Sequence, residues 1–160
     1  MDSSKTLTIR AAVKGDLTGL TPLWKKLYSF LQKYGYEFPV DDTTAQAWVT
    51  AASGQLGRFQ FVWIAEVSNS VVGFLCMRLT FSPPQYGRHL IAHITELYVD
   101  ERIRSRGLGR KLVEQAFAKA QELKAHSIEV QTMARNDGAI SFWNKAGFAS
   151  ELIQFRKSMK

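Results

Sequence analysis

The sequence predicts a single α/β domain: a mixed β-sheet with helices on both of its faces. Strand-like and helix-like segments follow one another in the order β-α-α-β-β-β-α-β-α-β, and no repeat or linker interrupts them. The chain has 160 residues, of which 46% are hydrophobic and 12% aromatic. That is long and apolar enough to bury one core, so we expect one domain over residues 1–160.

The first half of the chain is predicted to hold a strand, two helices and a hairpin. Thr6–Val13 alternates imperfectly, as a strand does, and a helix with Pro22 in its first turn follows. The apolar face of that helix recurs at helical spacing and consists of Leu20, Leu23, Trp24, Leu27, Phe30 and Leu31. Thr43–Leu56 is a weaker helix. The β-rich runs Phe59–Val67 and Val71–Thr80 flank a short polar turn, which is typical of a hairpin.

The second half is predicted to alternate between strands and helices. His89–Val99 is an apolar strand and Gly107–Lys124 an amphipathic helix with one buried stripe. Ser127–Thr132 is the next strand, Asp137–Lys145 a short helix, and Phe148–Lys157 is expected to form the last strand.

Composition narrows the classes of function. The net charge is +7, but the basic residues are dense only at 102–111, so nucleic-acid binding is not the favoured interpretation. No apolar stretch approaches the ~20 residues that span a bilayer, and the start of the chain lacks the apolar core of a signal peptide, so we expect no membrane association and a cytoplasmic location. The single cysteine, Cys76, is expected to be a buried spectator.

A glycine-bearing, arginine-rich turn lies between the strand at 89–99 and the helix that follows. Arg104-Ser105-Arg106-Gly107-Leu108-Gly109 places backbone N–H groups, a helix start and guanidinium groups together, as an anion site requires. The phosphate loop of nucleotide hydrolases and the full dinucleotide-binding pattern are both missing. A phosphate-bearing small molecule is therefore expected here, and a plain structural turn is the alternative.

Two motifs, in this order, resemble those of one enzyme family. The segment 99–112 is similar to the pyrophosphate loop of the GNAT N-acetyltransferases, Gln/Arg-x-x-Gly-x-Gly/Ala. Asn136-Asp137-Gly138-Ala139-Ile140-Ser141-Phe142-Trp143-Asn144-Lys145-Ala146-Gly147-Phe148 resembles the closing motif of the same family. The resemblance implies a GNAT-like sheet that splays between its fourth and fifth strands, acetyl-CoA as the acyl donor, no metal, and acetyl transfer to an amine.

The resemblance also implies which residues hold the donor. Backbone groups at the end of the fourth strand would pair with the pantetheine arm, the turn would bind the pyrophosphate, and the closing motif would contact the arm. The implied set is Leu97, Tyr98, Val99, Arg104, Ser105, Arg106, Gly107, Leu108, Gly109, Arg110, Asn136, Phe142 and Trp143. An ordinary buried strand fits Leu97 and Val99 equally well, and Asn136 is also a good helix cap.

Candidates for proton transfer interrupt the apolar strand at 89–99. His93, Thr95 and Glu96 are polar where a central strand is normally apolar. Glu96 is our preferred base, His93 the second choice, and Tyr98 the phenol that could protonate a leaving thiolate. The alternatives are an ion-paired Glu96 and a hydrogen-bonded core histidine.

One residue departs from the family pattern. Trp143 stands where the family often has a tyrosine, and an indole N–H cannot deliver a proton. Either the thiolate leaves unaided, or another residue protonates it, or the chain is an acyl-CoA-binding regulatory module without turnover. We expect direct transfer in a ternary complex, with a small-molecule amine or a protein amine as acceptor; the sequence leaves open whether the chain is a homodimer.

Overall fold

The computed structural model describes residues 6–159 and shows one five-stranded sheet with four helices. The strands are β1 (Leu7–Ala11), β2 (Gln60–Val67), β3 (Ser70–Phe81), β4 (Leu90–Val99) and β5 (Ser127–Val130). The helices are α1 (Thr21–Gln32), α2 (Asp42–Gln55), α3 (Leu108–Glu122) and α4 (Asp137–Lys145). Short 3-10 turns cover Lys14–Leu20, Pro84–Tyr86 and Glu101–Arg106. Among the described helices, none is long and apolar enough to cross a bilayer.

The sheet is mixed, as predicted, and its strands lie in chain order. β1 to β4 pair antiparallel, whereas β5 runs parallel to β4 because α3 carries the chain back across the sheet. The hairpin between β2 and β3 turns through Ser68 and Asn69, both with positive φ, which matches the twist of the two strands.

The helices cover both faces of the sheet, which confirms the predicted fold class. α3 and α4 pack on one face, where Leu108, Leu112 and Trp143 are buried. α1 and α2 pack on the other, where Trp24 and Val49 are buried. We call these the α3/α4 face and the α1/α2 face. Cys76 is fully buried on the α1/α2 face, as predicted.

The predicted last strand is wrong. Residues 149–159 lie within the described chain but form no helix or strand, so the sheet ends at β5. Leu152 is 90% and Phe155 91% exposed. The apolar residues of this segment are therefore not sufficient to predict a strand, because a strand forms only where a partner edge and a covered face are both present.

β4 and β5 separate part-way along their length. β5 pairs with β4 only from Ile91 to Ile94, so the backbone of Thr95–Val99 has a strand partner only on the β3 side. This is the splay that the family resemblance implies. β3 approaches this strand end closely at Gly73, where a Cβ atom would lie 2.7 Å from the carbonyl oxygen of Tyr98.

Candidate functional site

A β-bulge in β4 determines which side chains face each helix layer. The register shifts opposite Cys76 and Met77, which leaves Thr95 as an extra residue between Ile94 and Glu96. Before the bulge, Ala92 and Ile94 pack into the α3/α4 core, and after it Leu97 and Val99 do. Glu96 and Tyr98 consequently face α1 and α2.

Glu96 is a buried acid at the mouth of the splay, with an exposed fraction of only 7%. The hydroxyl of Tyr28 in α1 donates to its Oε1 at 2.8 Å, and the hydroxyl of Thr95 donates to its Oε2. Burial raises the pKa of Glu96, and these hydrogen bonds oppose the rise without cancelling it. The alternative of an ion-paired Glu96 is not observed: no cation within residues 6–159 forms a salt bridge with it.

Tyr28 was missed at the level of sequence, although it contacts the preferred base directly. Its ring packs on Trp24 with a centroid separation of 4.5 Å and on Tyr36 at 4.9 Å. Burial raises the pKa of Tyr28, and the charge on Glu96 adds to the rise, so the phenol stays protonated as a donor. The signal was its position: Tyr28 lies four residues after Trp24, on the apolar stripe that faces the sheet.

His93 and Tyr98 lie on the same strand as Glu96 but have different neighbours. His93 lies on β4 before the bulge, paired across the strands with Arg78 and Glu129. Burial and the nearby Arg78 lower the pKa of His93, so the imidazole is neutral near pH 7. Tyr98 is buried, and burial, followed by the charge of Asp100, raises the pKa of its phenol. Of these three candidates, Glu96 alone has side-chain hydrogen bonds among the described residues.

The β4–α3 connection brings a helix start close to the strand end. Gly107 has φ of +71°, a conformation that suits glycine, and α3 begins at the next residue. A Cβ atom on Gly109 would lie 3.3 Å from two ring carbons of Phe142 in α4. The first turn of α3 therefore passes directly beside α4, with backbone N–H groups that have no partner within the helix.

The arginines of this connection have distinct roles. Arg104 Nε donates to the carbonyl oxygen of Val99 at 2.9 Å, and its guanidinium lies over the rings of Phe30 and Tyr98. Arg102 binds Asp100 through two side-chain hydrogen bonds and lowers the pKa of that carboxyl to about 2. Two further arginines, Arg106 and Arg110, are exposed, and Arg110 lies 3.7 Å from Glu114. The side chain of Ser105 lies outside the described part of the chain.

A cavity of about 490 Å³ lies between α1 and this connection. Four cationic side chains line it, and these are Lys26, Lys33, Arg102 and Arg104. Two acids, Asp100 and Glu101, line it as well, but Asp100 is already bound to Arg102. The lining therefore carries a net positive charge, which favours an anion over a cation.

The closing motif, 136–148, packs into the core of the α3/α4 face. Asn136 is buried and its Oδ1 accepts from the backbone N–H of Ala139, so it does cap α4. Its Nδ2 donor has no hydrogen-bond partner among residues 6–159. Trp143 is 8% exposed and packs edge-on against Phe142 and Phe148 at 5.0 and 5.1 Å. The indole is thus part of the α3/α4 core.

Comparisons with known proteins identify the family and the fold of the chain. The family model described as acetyltransferase (GNAT) family matches residues 24–148. An uncharacterized N-acetyltransferase of Methanocaldococcus jannaschii is 29% identical over 159 residues, which cover 93% of this chain. The chain spans 63% of the length of that relative.

Solved structures share the fold at low sequence identity. A variant of a Bacillus halodurans protein superposes with a TM-score of 0.81 at 19% identity, covering 96% of this chain and 99% of the other. An aminoglycoside N-acetyltransferase in complex with CoA gives 0.79 at 16% identity, covering 100% of this chain and 99% of that one. At these low identities, the two solved structures show that the fold is shared and nothing beyond the fold.

Proposed function

Because the chain belongs to the GNAT family of acetyltransferases, we propose that it moves an acetyl group from acetyl-CoA to a primary amine, directly, within a ternary complex. The amine nitrogen forms a bond to the acetyl carbon, the carbon–sulfur bond breaks, and the amine gives up one proton. The protein must hold the donor, orient the amine and accept that proton.

Three features of the splay fit the donor. The backbone of Leu97–Val99 has no strand partner on the β5 side, so an extended arm can lie against it. Asn136 Nδ2, in the segment that follows β5, is a donor without a hydrogen-bond partner among residues 6–159. The start of α3, where Gly109 lacks the Cβ that would press on Phe142, offers backbone N–H groups to a pyrophosphate.

Arginines at the β4–α3 connection support the binding of phosphate groups. Arg106 is exposed and Arg110 makes only a long contact with Glu114. Arg104 has a different role, because its hydrogen bond to the carbonyl oxygen of Val99 holds the end of β4 in place. Acetyl-CoA supplies the activated thioester when bound.

Glu96 is the base in this proposal. Its raised pKa brings the carboxylate closer to the basicity that a general base needs near neutral pH. Tyr28 fixes one carboxylate oxygen and Thr95 the other, so the group cannot rotate freely. A carboxylate at this position also attracts the protonated amine, before the amine gives up its proton.

The leaving thiolate needs no phenol at position 143. Trp143 is buried in the core and is a donor only. A thiol has a pKa of about 8.5, so its anion is a good leaving group without help. Tyr98 faces the α1/α2 side, where its phenol has a raised pKa, and remains the second candidate for protonation.

The observation that carries the proposal is Glu96, a buried acid placed by a bulge beside the gap between β4 and β5. Release of free thiol from acetyl-CoA, measured with a panel of primary amines, tests it. Amine-dependent thiol release supports the transferase. CoA binding without thiol release for any amine would favour a non-catalytic acyl-CoA-binding module, to which the departure at Trp143 also points.

A further inference from the structure

The connection between α1 and α2, residues 33–41, is linked to Glu96 through Tyr28 of α1. The ring of Tyr36 contacts that of Tyr28 at 4.9 Å between centroids, and Tyr28 donates to Glu96. Burial raises the pKa of Tyr36, and the charge on Glu96 adds to the rise. Phe38 continues the row at 5.5 Å from Tyr36 and is exposed. A wall of rings thus leads from Glu96 to the surface.

Two arginines stand at the outer end of this wall. The guanidinium of Arg156 lies 5.3 Å from the ring centroid of Phe38. Arg135 Nη2 lies 3.3 Å from the place that a Cβ atom of Gly35 would take. The two side chains therefore form the rim of this wall, at Gly35 and Phe38.

Neither arginine has an acidic partner in the described part of the chain. Within residues 6–159, no salt bridge includes Arg135 or Arg156, and Glu37 of the same connection pairs with neither. Other arginines do pair with carboxylates; these are Arg10, Arg102, Arg104 and Arg110. The rim at Gly35 and Phe38 is therefore cationic, while the acid at the inner end of the row of rings is the buried Glu96.

We propose, resting on the proposed function, that the acceptor is an amine that also carries a carboxylate several bonds away from the amino group. The ammonium group meets Glu96, and the carboxylate meets Arg135 and Arg156, whose planar guanidinium groups bind it through paired hydrogen bonds. The rings of Tyr36 and Phe38 lie between the two charges, so the spacer is apolar. A polycationic acceptor is disfavoured, because its second ammonium would lie beside the two arginines.

Four small amines test the proposal on the full-length protein with acetyl-CoA. 6-Aminohexanoate carries both charges, hexylamine lacks the carboxylate, 1,6-diaminohexane replaces it with a cation, and leucine is an isomer with the carboxylate next to the amine. We expect kcat/KM for 6-aminohexanoate to exceed that for hexylamine by about tenfold or more, as hydrogen bonds to a charged group imply. Leucine and the diamine should both be poorer than 6-aminohexanoate.

Alanine variants locate the carboxylate. Arg135→Ala and Arg156→Ala should lower kcat/KM for 6-aminohexanoate and leave that for hexylamine unchanged. Arg58→Ala is the matched control, since Arg58 is exposed and also stacks on a ring, at 5.7 Å from Phe59. It should change neither value.

Each contrary result has a separate meaning. Equal kcat/KM for hexylamine and 6-aminohexanoate in the wild type, or an equal loss for both amines in the arginine variants, overturns this inference but leaves the transferase intact. A preference for leucine overturns the spacer between the charges. If no amine is acetylated although CoA binds, the proposed function fails, and this inference fails with it.

Discussion

Glu96→Gln removes the proposed base and keeps the hydrogen bonds around it, because the structure can accommodate the amide. The Tyr28 hydroxyl, now 2.8 Å from a carboxylate oxygen, can donate equally well to an amide oxygen. The amide nitrogen can donate to the Thr95 hydroxyl, which then turns its own proton to the carbonyl oxygen of Cys76, 3.4 Å away. No buried polar group loses its partner, so changes in rate report the lost base.

We expect kcat to fall by about 10²-fold, the usual contribution of one placed acid–base group, which corresponds to about 2.7 kcal/mol at about 1.36 kcal/mol per tenfold. The dissociation constant for acetyl-CoA should hardly change, since the donor contacts lie at the β4 backbone and α3. The assay is thiol release at saturating amine over pH 6–9, together with titration of acetyl-CoA binding.

The stability of the Glu96→Gln variant should rise, whereas its activity falls. The pKa of Glu96 is raised on folding, so its stabilising contribution is full below the unfolded pKa and is lost as pH rises through the folded one. The amide of the variant stays neutral, and the melting temperature of Glu96→Gln should exceed that of the wild type by an amount that grows with pH. Full activity in the variant across this pH range would refute the role of Glu96; a melting temperature lowered equally at every pH would refute the account of its burial.

Three further variants probe the donor site and the strand end. Gly109→Asp should remain folded but lose thermal stabilisation by CoA, whereas Gly109→Ala, which brings the same Cβ to Phe142 without the charge, should keep most of it; equal behaviour would contradict the pyrophosphate assignment. Trp143→Tyr should bind CoA and show the wild-type pH–rate profile, and a large rate gain with a new high-pH limb would show that protonation limits turnover. Gly73→Ala should lose about 1–3 kcal/mol, because its Cβ would meet the Tyr98 carbonyl oxygen at 2.7 Å, while Gly54→Ala in α2, with nothing within 4 Å, should not destabilise; both are measured by urea unfolding.

Much of the fold could be predicted because the spacing of apolar residues and the residue types of turns are properties of short segments. α4 was predicted with the observed bounds, and the β2–β3 hairpin followed from its short polar turn. The failed strand at 148–157 depended on a partner edge, which is not a local property. Tyr28 was missed for a similar reason: a tyrosine on an apolar stripe fits the core, and only the packing of α1 on β4 shows that its hydroxyl meets Glu96.

The donor site was easier to predict than the acceptor site for a physical reason. Glycines that permit close approach, as at Gly107 and Gly109, are visible in the sequence beside the helix they start. The cationic rim at Arg135 and Arg156 is assembled from two segments that are distant in sequence from the connection at Gly35 and Phe38. Contacts of that kind depend on the tertiary arrangement.

Because β4 contains an extra residue, the effect of deleting one residue from this strand depends on which residue is deleted. Glu96 lies opposite Cys76 and Ile94 opposite Met77, with Thr95 extra between them. A chain that lost Thr95 would therefore return to strict alternation with Ile94 and Leu97 on their present face. Glu96 would still face Tyr28 and would lose only the hydroxyl that holds its second oxygen. Loss of Leu97 would instead turn Tyr98 and everything after it to the opposite helix layer. Deletion of the codon for residue 95 therefore keeps both Ile94 in the core and the acid in place, so evolution or a designer could make that change.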